Sequence, residues 1–202
     1  MRPAVFVDRD DTLIVNGALD WSLVPEGSAI VAGDLCNPDW VRPLDGAVEA
    51  CRDLKSAGYA VVVITNQGLV ARGGGVLAEV YATHDRMRAF FVDTDGSPLL
   101  EGVYAAPHHP KGRVEPFNVE HPWRKPAGGM LLAAALELGL DLSASWMIGD
   151  MDRDAEAGVA AGLDPARCLR IGPDAEIPDL VAATALVLRA HSEGRSGRRA
   201  PA

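Results

Sequence analysis

Cysteine is scarce in this chain: Cys36, Cys51 and Cys168 are the only three among 202 residues, and no two share a CxxC spacing. That argues against a disulfide framework and for ordinary reduced thiols. Long apolar runs are missing too. The N-terminal stretch Ala4 to Val7 is far shorter than the roughly 20 residues a membrane span needs, and it does not look like a secretory leader. A cytoplasmic protein without a membrane partner is therefore expected. Basic charge is in deficit, with 19 Lys and Arg against 28 Asp and Glu and a net charge of -9. A nucleic-acid surface needs basic patches, so a nucleic-acid partner is not expected, whereas a small phosphorylated metabolite could be neutralised by one or two cations and a metal.

What is present fits one domain. Apolar residues make up 48% of the chain, enough for a single core. The pattern alternates strand and helix. Apolar or β-branched runs at 4–7, 59–64, 102–106, 145–148 and 168–171 read as buried strands. Helices are predicted at 45–57, 77–91, 128–138, 154–161 and 180–190, several stopped by glycine. Residues 16–43 show no sustained period and form a loop insert after the first strand. Residues 192–202 are expected to be a disordered tail, leaving 1–191 as the domain. Because the chain ends after one domain, a bifunctional fusion with a dehydratase is not expected, and a monomer is.

Strands alternating with helices predict an α/β fold, a doubly wound parallel sheet with helices on both faces, which binds ligands at the carboxyl ends of its strands. Four predicted strands end in polar groups: Asp8 and Asp10, Thr65 and Asn66, His108 and His109, and Asp150. Side chains two apart in an extended segment share a face, so Asp8 and Asp10 can address one substrate. Taken singly, each signal has a plain explanation. Asp8 to Asp11 could be an acidic turn, Thr65 a turn cap, Lys125 a surface lysine and Asp154 an N-terminal helix residue favoured by the dipole.

Taken together they resemble a family. Asp8-x-Asp10-x-Thr12, Thr65-Asn66-Gln67, Arg124-Lys125-Pro126 and Gly149-Asp150 with Asp154 resemble, in order, the four motifs of haloacid-dehalogenase (HAD) superfamily phosphatases. Asp-Arg-Asp at 8–10, Ala71-Arg72-Gly73, Pro107-His108-His109-Pro110 and Gly129-Met130 resemble the subgroup of histidinol-phosphate and D-glycero-D-manno-heptose 1,7-bisphosphate phosphatases. The resemblance spans about residues 4–172 and implies a nearly capless Rossmann-like fold. It implies Asp8 as nucleophile, Asp10 as general acid and base, and Thr65 and Lys125 on the phosphate. Mg2+ would be held by Asp8, the Asp10 carbonyl and Asp150, with Asp154 in its outer shell. Thr12, Asn66, Gln67 and Arg124 are expected to contact substrate, Arg124 through sugar hydroxyls or a second phosphate.

The chain also departs from that pattern. Asp11 stands where most of the superfamily has Gly, in a turn that Asp can tolerate. Gly68 stands where relatives often have Ser. Many members of the subgroup carry a structural zinc on three Cys and one His, whose positions here hold Ala106, His108, His121 and Trp123. Two imidazoles do not complete a tetrahedral site, so no structural zinc is predicted, and the loop is expected to be held by its prolines, Phe117 and Trp123. The expected activity is hydrolysis of a small phosphorylated metabolite, first a heptose bisphosphate, then histidinol phosphate. A non-catalytic binding module on the same fold is the competing class.

Overall fold

The structure, a computed structural model, describes residues 1–24 and 30–197, with the backbone alone at 194–197. Its elements follow in the order β1 (Ala4–Val7), α1 (Ala47–Ser56), β2 (Ala60–Asn66), α2 (Leu69–Arg72), α3 (Leu77–Phe90), β3 (Leu100–Ala106), α4 (Gly129–Leu138), β4 (Trp146–Gly149), α5 (Asp152–Ala160), β5 (Cys168–Arg170) and α6 (Leu180–Gly197). The strands form one parallel sheet ordered β3-β2-β1-β4-β5. All four residues of β1 are buried, as the apolar run demands of a strand covered on both faces.

The period of two splits the core. Val5, Val7, Val61 and Val63 face one cluster with Ala50, Cys51 and Leu54 of α1, Met87 of α3 and Ala183 and Val187 of α6. Phe6, Val62 and Ile64 face the other with Met130, Leu131 and Ala134 of α4 and Ala157 of α5. Helices therefore cover both faces, as expected for a doubly wound sheet. Each face is covered by apolar side chains, and the polar ends of the strands are left at one rim.

Two details differ from the expectations. A short helix, α2, follows directly on the second strand-end motif. The last helix runs to Gly197, so residues 192–197, expected in a disordered tail, are helical; 198–202 lie outside the described residues. The insert is folded onto the domain, with single turns at Trp21–Leu23 and Pro38–Trp40 capped by Asp20 and Asn37. The Trp21 and Trp40 rings meet edge-on at 6.0 Å, and Trp21 Nε1 donates to the Asn16 carbonyl at 3.0 Å. Residues 25–29 of the insert lie outside the described residues.

Candidate active site

β1 sits between β2 and β4, and the chain leaves these strands for helices on opposite faces, which opens a crevice at their carboxyl ends. Asp8 is the first residue past β1, and its amide donates to the Ile148 carbonyl at 2.9 Å. A cleft of about 530 Å³ opens above it, lined by Asp8, Asp10, Thr65, Asn66 and Asp150 and by Arg72, Arg124 and Arg153. Val31 to Asp34 of the insert form part of its wall.

Lys125 enters from the loop before α4, and its side chain is fully buried. The ammonium has three acceptors for its three protons: Asp8 Oδ1 at 2.7 Å, Asp154 Oδ1 at 2.6 Å and the Ile64 carbonyl at 2.8 Å. Burial alone pulls its pKa down, but the charges of Asp8 and Asp154 outweigh that and hold it above the ordinary lysine value. Lys125 is therefore a fixed cation beside the nucleophile. Its backbone is fixed as well, because its N–H donates to Asn66 Oδ1 at 2.9 Å and its carbonyl accepts from Asn66 Nδ2 at 3.0 Å.

Asp154 lies in the first turn of α5, with its carboxylate accepting the Met151 N–H at 3.0 Å. It reaches inward because Gly149 leaves the space: a Cβ there would stand 2.5 Å from Asp154 Cβ. Asp8, Asp150 and Asp154 each offer a carboxylate oxygen within 4.8 Å of one another, a donor set of hard oxygens that fits a divalent cation such as Mg2+. Burial, then Asp8 and Asp154, push the Asp150 carboxyl up to about 7, and burial, then Asp8, raise Asp154. Asp150 and Asp154 resist ionising beside Asp8, and a cation would balance the charge gathered there.

Asp10 is held from two sides. Arg9 Nε and Nη2 donate to its Oδ1 at 3.1 and 2.9 Å, and Gln67 Nε2 donates to its Oδ2 at 3.1 Å and to Thr65 Oγ1 at 2.8 Å. Burial raises its pKa above the ordinary value, with the Arg9 charge opposing. Asp11 adopts φ 53°, as the turn requires, and its Oδ1 accepts the Asn16 and Gly17 N–H groups at 2.9 and 2.8 Å. Asp thus supplies both the left-handed backbone and a clasp that Gly could not.

The structure gathers Asp8, Asp10, Thr65, Asn66, Arg124 and Asp150 around the cleft, with Lys125 at its floor. Two residues expected to touch substrate do not face it. Thr12 is fully buried and borders a neighbouring groove, and Gln67 is buried beneath Asp10 and Thr65. Asn66 reaches the cleft, but both ends of its carboxamide are engaged by the Lys125 backbone. Asp154 lies beside Asp8 and Asp150 and holds Lys125.

Three residues were missed. Arg9 is the largest fully buried side chain, and an Arg flanked by two Asp at a strand end was a legible signal for a buried ion pair. Arg72 pairs with Asp34 of the insert, and Arg153 lines the cleft and, after burial, is the main cause of the lowered Arg124 pKa. In the loop after β3, the His108 and His121 rings stack with centroids 3.8 Å apart, Trp123 meets His121 edge-on, and Phe117 packs on His108. Arg124 Nη1 donates to the His108 carbonyl at 3.0 Å, so this loop sets one wall of the cleft.

A parallel sheet with an acidic rim and a buried lysine defines a HAD-like phosphatase. The HAD-hydrolase-like family model matches residues 122–169, which hold Lys125, Asp150 and Asp154. The D-glycero-beta-D-manno-heptose-1,7-bisphosphate 7-phosphatase of Escherichia coli (strain K12) is 37% identical over 178 residues, covering 86% of this chain and 84% of that protein. The D-glycero-alpha-D-manno-heptose-1,7-bisphosphate 7-phosphatase of Burkholderia mallei is 39% identical over 120 residues, covering 59% and 62%. The crystal structure of D,D-heptose 1,7-bisphosphate phosphatase from B. bronchiseptica, complexed with magnesium and phosphate, superposes with a TM-score of 0.69 at 25% identity, covering 94% and 99%. The chain belongs to the family of heptose-bisphosphate phosphatases within the HAD-like hydrolases.

Proposed function

We propose that this chain is a Mg2+-dependent phosphomonoesterase that hydrolyses D-glycero-D-manno-heptose 1,7-bisphosphate through an aspartyl-phosphate on Asp8. The observation that carries the reading is the buried Lys125, bonded at once to Asp8 and Asp154 beneath a cleft that Arg72, Arg124 and Arg153 also line. A Asp8 oxygen attacks phosphorus; the bond to the ester oxygen breaks, and Asp10 gives that oxygen its proton. Asp10, now ionised, takes a proton from water as the water attacks the aspartyl-phosphate, releasing inorganic phosphate and restoring Asp8. Lys125 and Thr65 bind non-bridging oxygens, the first as a point charge and the second by its hydroxyl. A cation held by Asp8, Asp150 and the Asp10 carbonyl supplies charge neutralisation between an anionic nucleophile and an anionic ester.

The heptose bisphosphate is favoured by the relatives and by two arginines of the cleft lining: Arg124 and Arg153 offer charge for a phosphate that is not being cleaved. Relatives named for both anomers leave the sugar's anomer to experiment. The enzyme would act as a monomer in the cytoplasm. Among the described residues no helix is long and apolar enough to cross a membrane. No structural zinc is proposed, because Ala106 and Trp123 stand at two of the four positions and the imidazoles of His108 and His121 do not complete a tetrahedral site.

The test is turnover of heptose 1,7-bisphosphate, histidinol phosphate and p-nitrophenyl phosphate with and without Mg2+, beside Asp8→Asn. Activity that survives Asp8→Asn would sink the mechanism. A higher kcat/KM for histidinol phosphate than for the heptose would replace the substrate. A zinc content near one per chain would overturn the loop reading.

A further inference from the structure

Arg9 is an expensive residue to keep. Its side chain is fully buried, and its Nη1 has no hydrogen-bond partner among the described residues. A guanidinium taken out of water with a donor unsatisfied costs stability, and an apolar residue of similar volume is often no worse. Among the described residues its carboxylate partner is Asp10, which it grips on both oxygens: Nε at 3.1 Å and Nη2 at 2.9 Å from Oδ1, and Nη2 at 3.0 Å from Oδ2.

Arg9 does not merely hang from Asp10, because Nη2 also donates to the Leu35 carbonyl of the insert at 2.9 Å. One residue earlier, Asp34 is anchored by Arg72. His84 of α3 lies near the guanidinium, and burial, with the charges of Arg9 and Arg88, holds it neutral. On the other side Gln67 fixes Asp10 Oδ2 at 3.1 Å. The carboxylate is thus clamped between a side chain from β1's exit and one from β2's exit, with the insert as the outer anchor.

We infer that Arg9 is a positioning residue that aims the Asp10 carboxyl at the ester oxygen, using the insert's Leu35 carbonyl as its fixed point. The inference rests on the reading of Asp10 as the acid and base of the reaction. A proton donor must lie within hydrogen-bond reach of the leaving oxygen, so a carboxyl free to rotate loses the acid step first.

The experiment compares phenyl phosphate, whose poor leaving group needs a proton, with p-nitrophenyl phosphate, whose leaving group departs without one. Arg9→Met, Arg9→Lys and Asp10→Asn are assayed with Mg2+ on both esters. Asp10→Asn is expected to lower kcat/KM for phenyl phosphate by about 100-fold more than for p-nitrophenyl phosphate. Arg9→Met is expected to show the same split at about tenfold, with little change in KM, and Arg9→Lys a smaller split of the same sign. Equal losses on the two esters in both Arg9 variants, with the split present in Asp10→Asn, overturn the positioning role alone. The absence of a split in Asp10→Asn overturns the acid/base reading, and the role of Arg9 with it. Should Arg9→Met fail to fold, Arg9→Lys decides by the same comparison.

Discussion

Asn66 and Lys125 clasp each other: the Asn66 carboxamide accepts the Lys125 N–H at 2.9 Å and donates to the Lys125 carbonyl at 3.0 Å. The second strand-end motif thereby seats the lysine of the third. Asn66→Ala should leave Lys125 charged but poorly aimed, lowering kcat/KM for p-nitrophenyl phosphate by about 10- to 100-fold. The loss of two bonds should also cost about 2 kcal/mol in urea unfolding. Full activity in this variant would show that Lys125 is placed by its own ion pairs.

Lys125→Met removes the cation from between Asp8 and Asp154, both buried. Uncompensated buried carboxylates are costly, so about 3 kcal/mol of stability should be lost in EDTA. Mg2+ can take over part of that charge. The thermal midpoint of the variant should therefore rise more on adding Mg2+ than that of the unaltered protein, while phosphatase activity stays lost. Equal shifts in the two proteins would contradict a cation bound at these carboxylates.

His84 is pushed from 6.5 to about 3 by burial and by the charges of Arg9 and Arg88. Between those two values the unfolded chain binds a proton that the folded one does not, so His84 makes stability fall as the pH drops from 6.5 toward 3. His84→Leu should remove that slope. The stability lost between pH 7.5 and pH 5, measured by urea unfolding, should be about 2 kcal/mol smaller in the variant.

Asp11 combines φ 53° with two backbone N–H groups on its Oδ1. Asp11→Ala loses the bonds and places a Cβ in the left-handed region without compensation, for about 2 kcal/mol. Asp11→Gly loses the same bonds without the strain and should be about 1 kcal/mol less destabilised than the alanine variant. Thermal or urea midpoints of the pair test this; equal destabilisation would mean the backbone strain is negligible.

Much of this was legible in the sequence. The five strands were, because a strand covered on both faces is an uninterrupted apolar run, and Val5, Val7, Val61 and Val63 have no other reading. Asp8, Thr65 and Asp150 were placed at one rim by the topology of such a sheet. The direction of each side chain was not legible. Thr12 turns away and Gln67 lies beneath Asp10, outcomes that depend on packing after the turn rather than on spacing. The pairing of Asp34 with Arg72 joins positions 38 apart through a loop with no period to announce it. The last helix runs through Gly194 to Gly197: no proline follows Pro178 before Pro201, and propagation adds a hydrogen bond for every residue fixed.

The nucleophile's strand is the middle plank of the sheet, laddered to β2 on one side and to β4 on the other. Asp8 is therefore attached to the least adjustable part of the molecule. The insert segment Val31 to Asp34 also lines the cleft, and it is tied to the framework through the Arg72–Asp34 pair. For protein engineering this divides the enzyme into a chassis and an exchangeable attachment. Transplanting that segment between relatives should retune which phosphate ester is accepted, while redesign of the central strand would forfeit the chemistry.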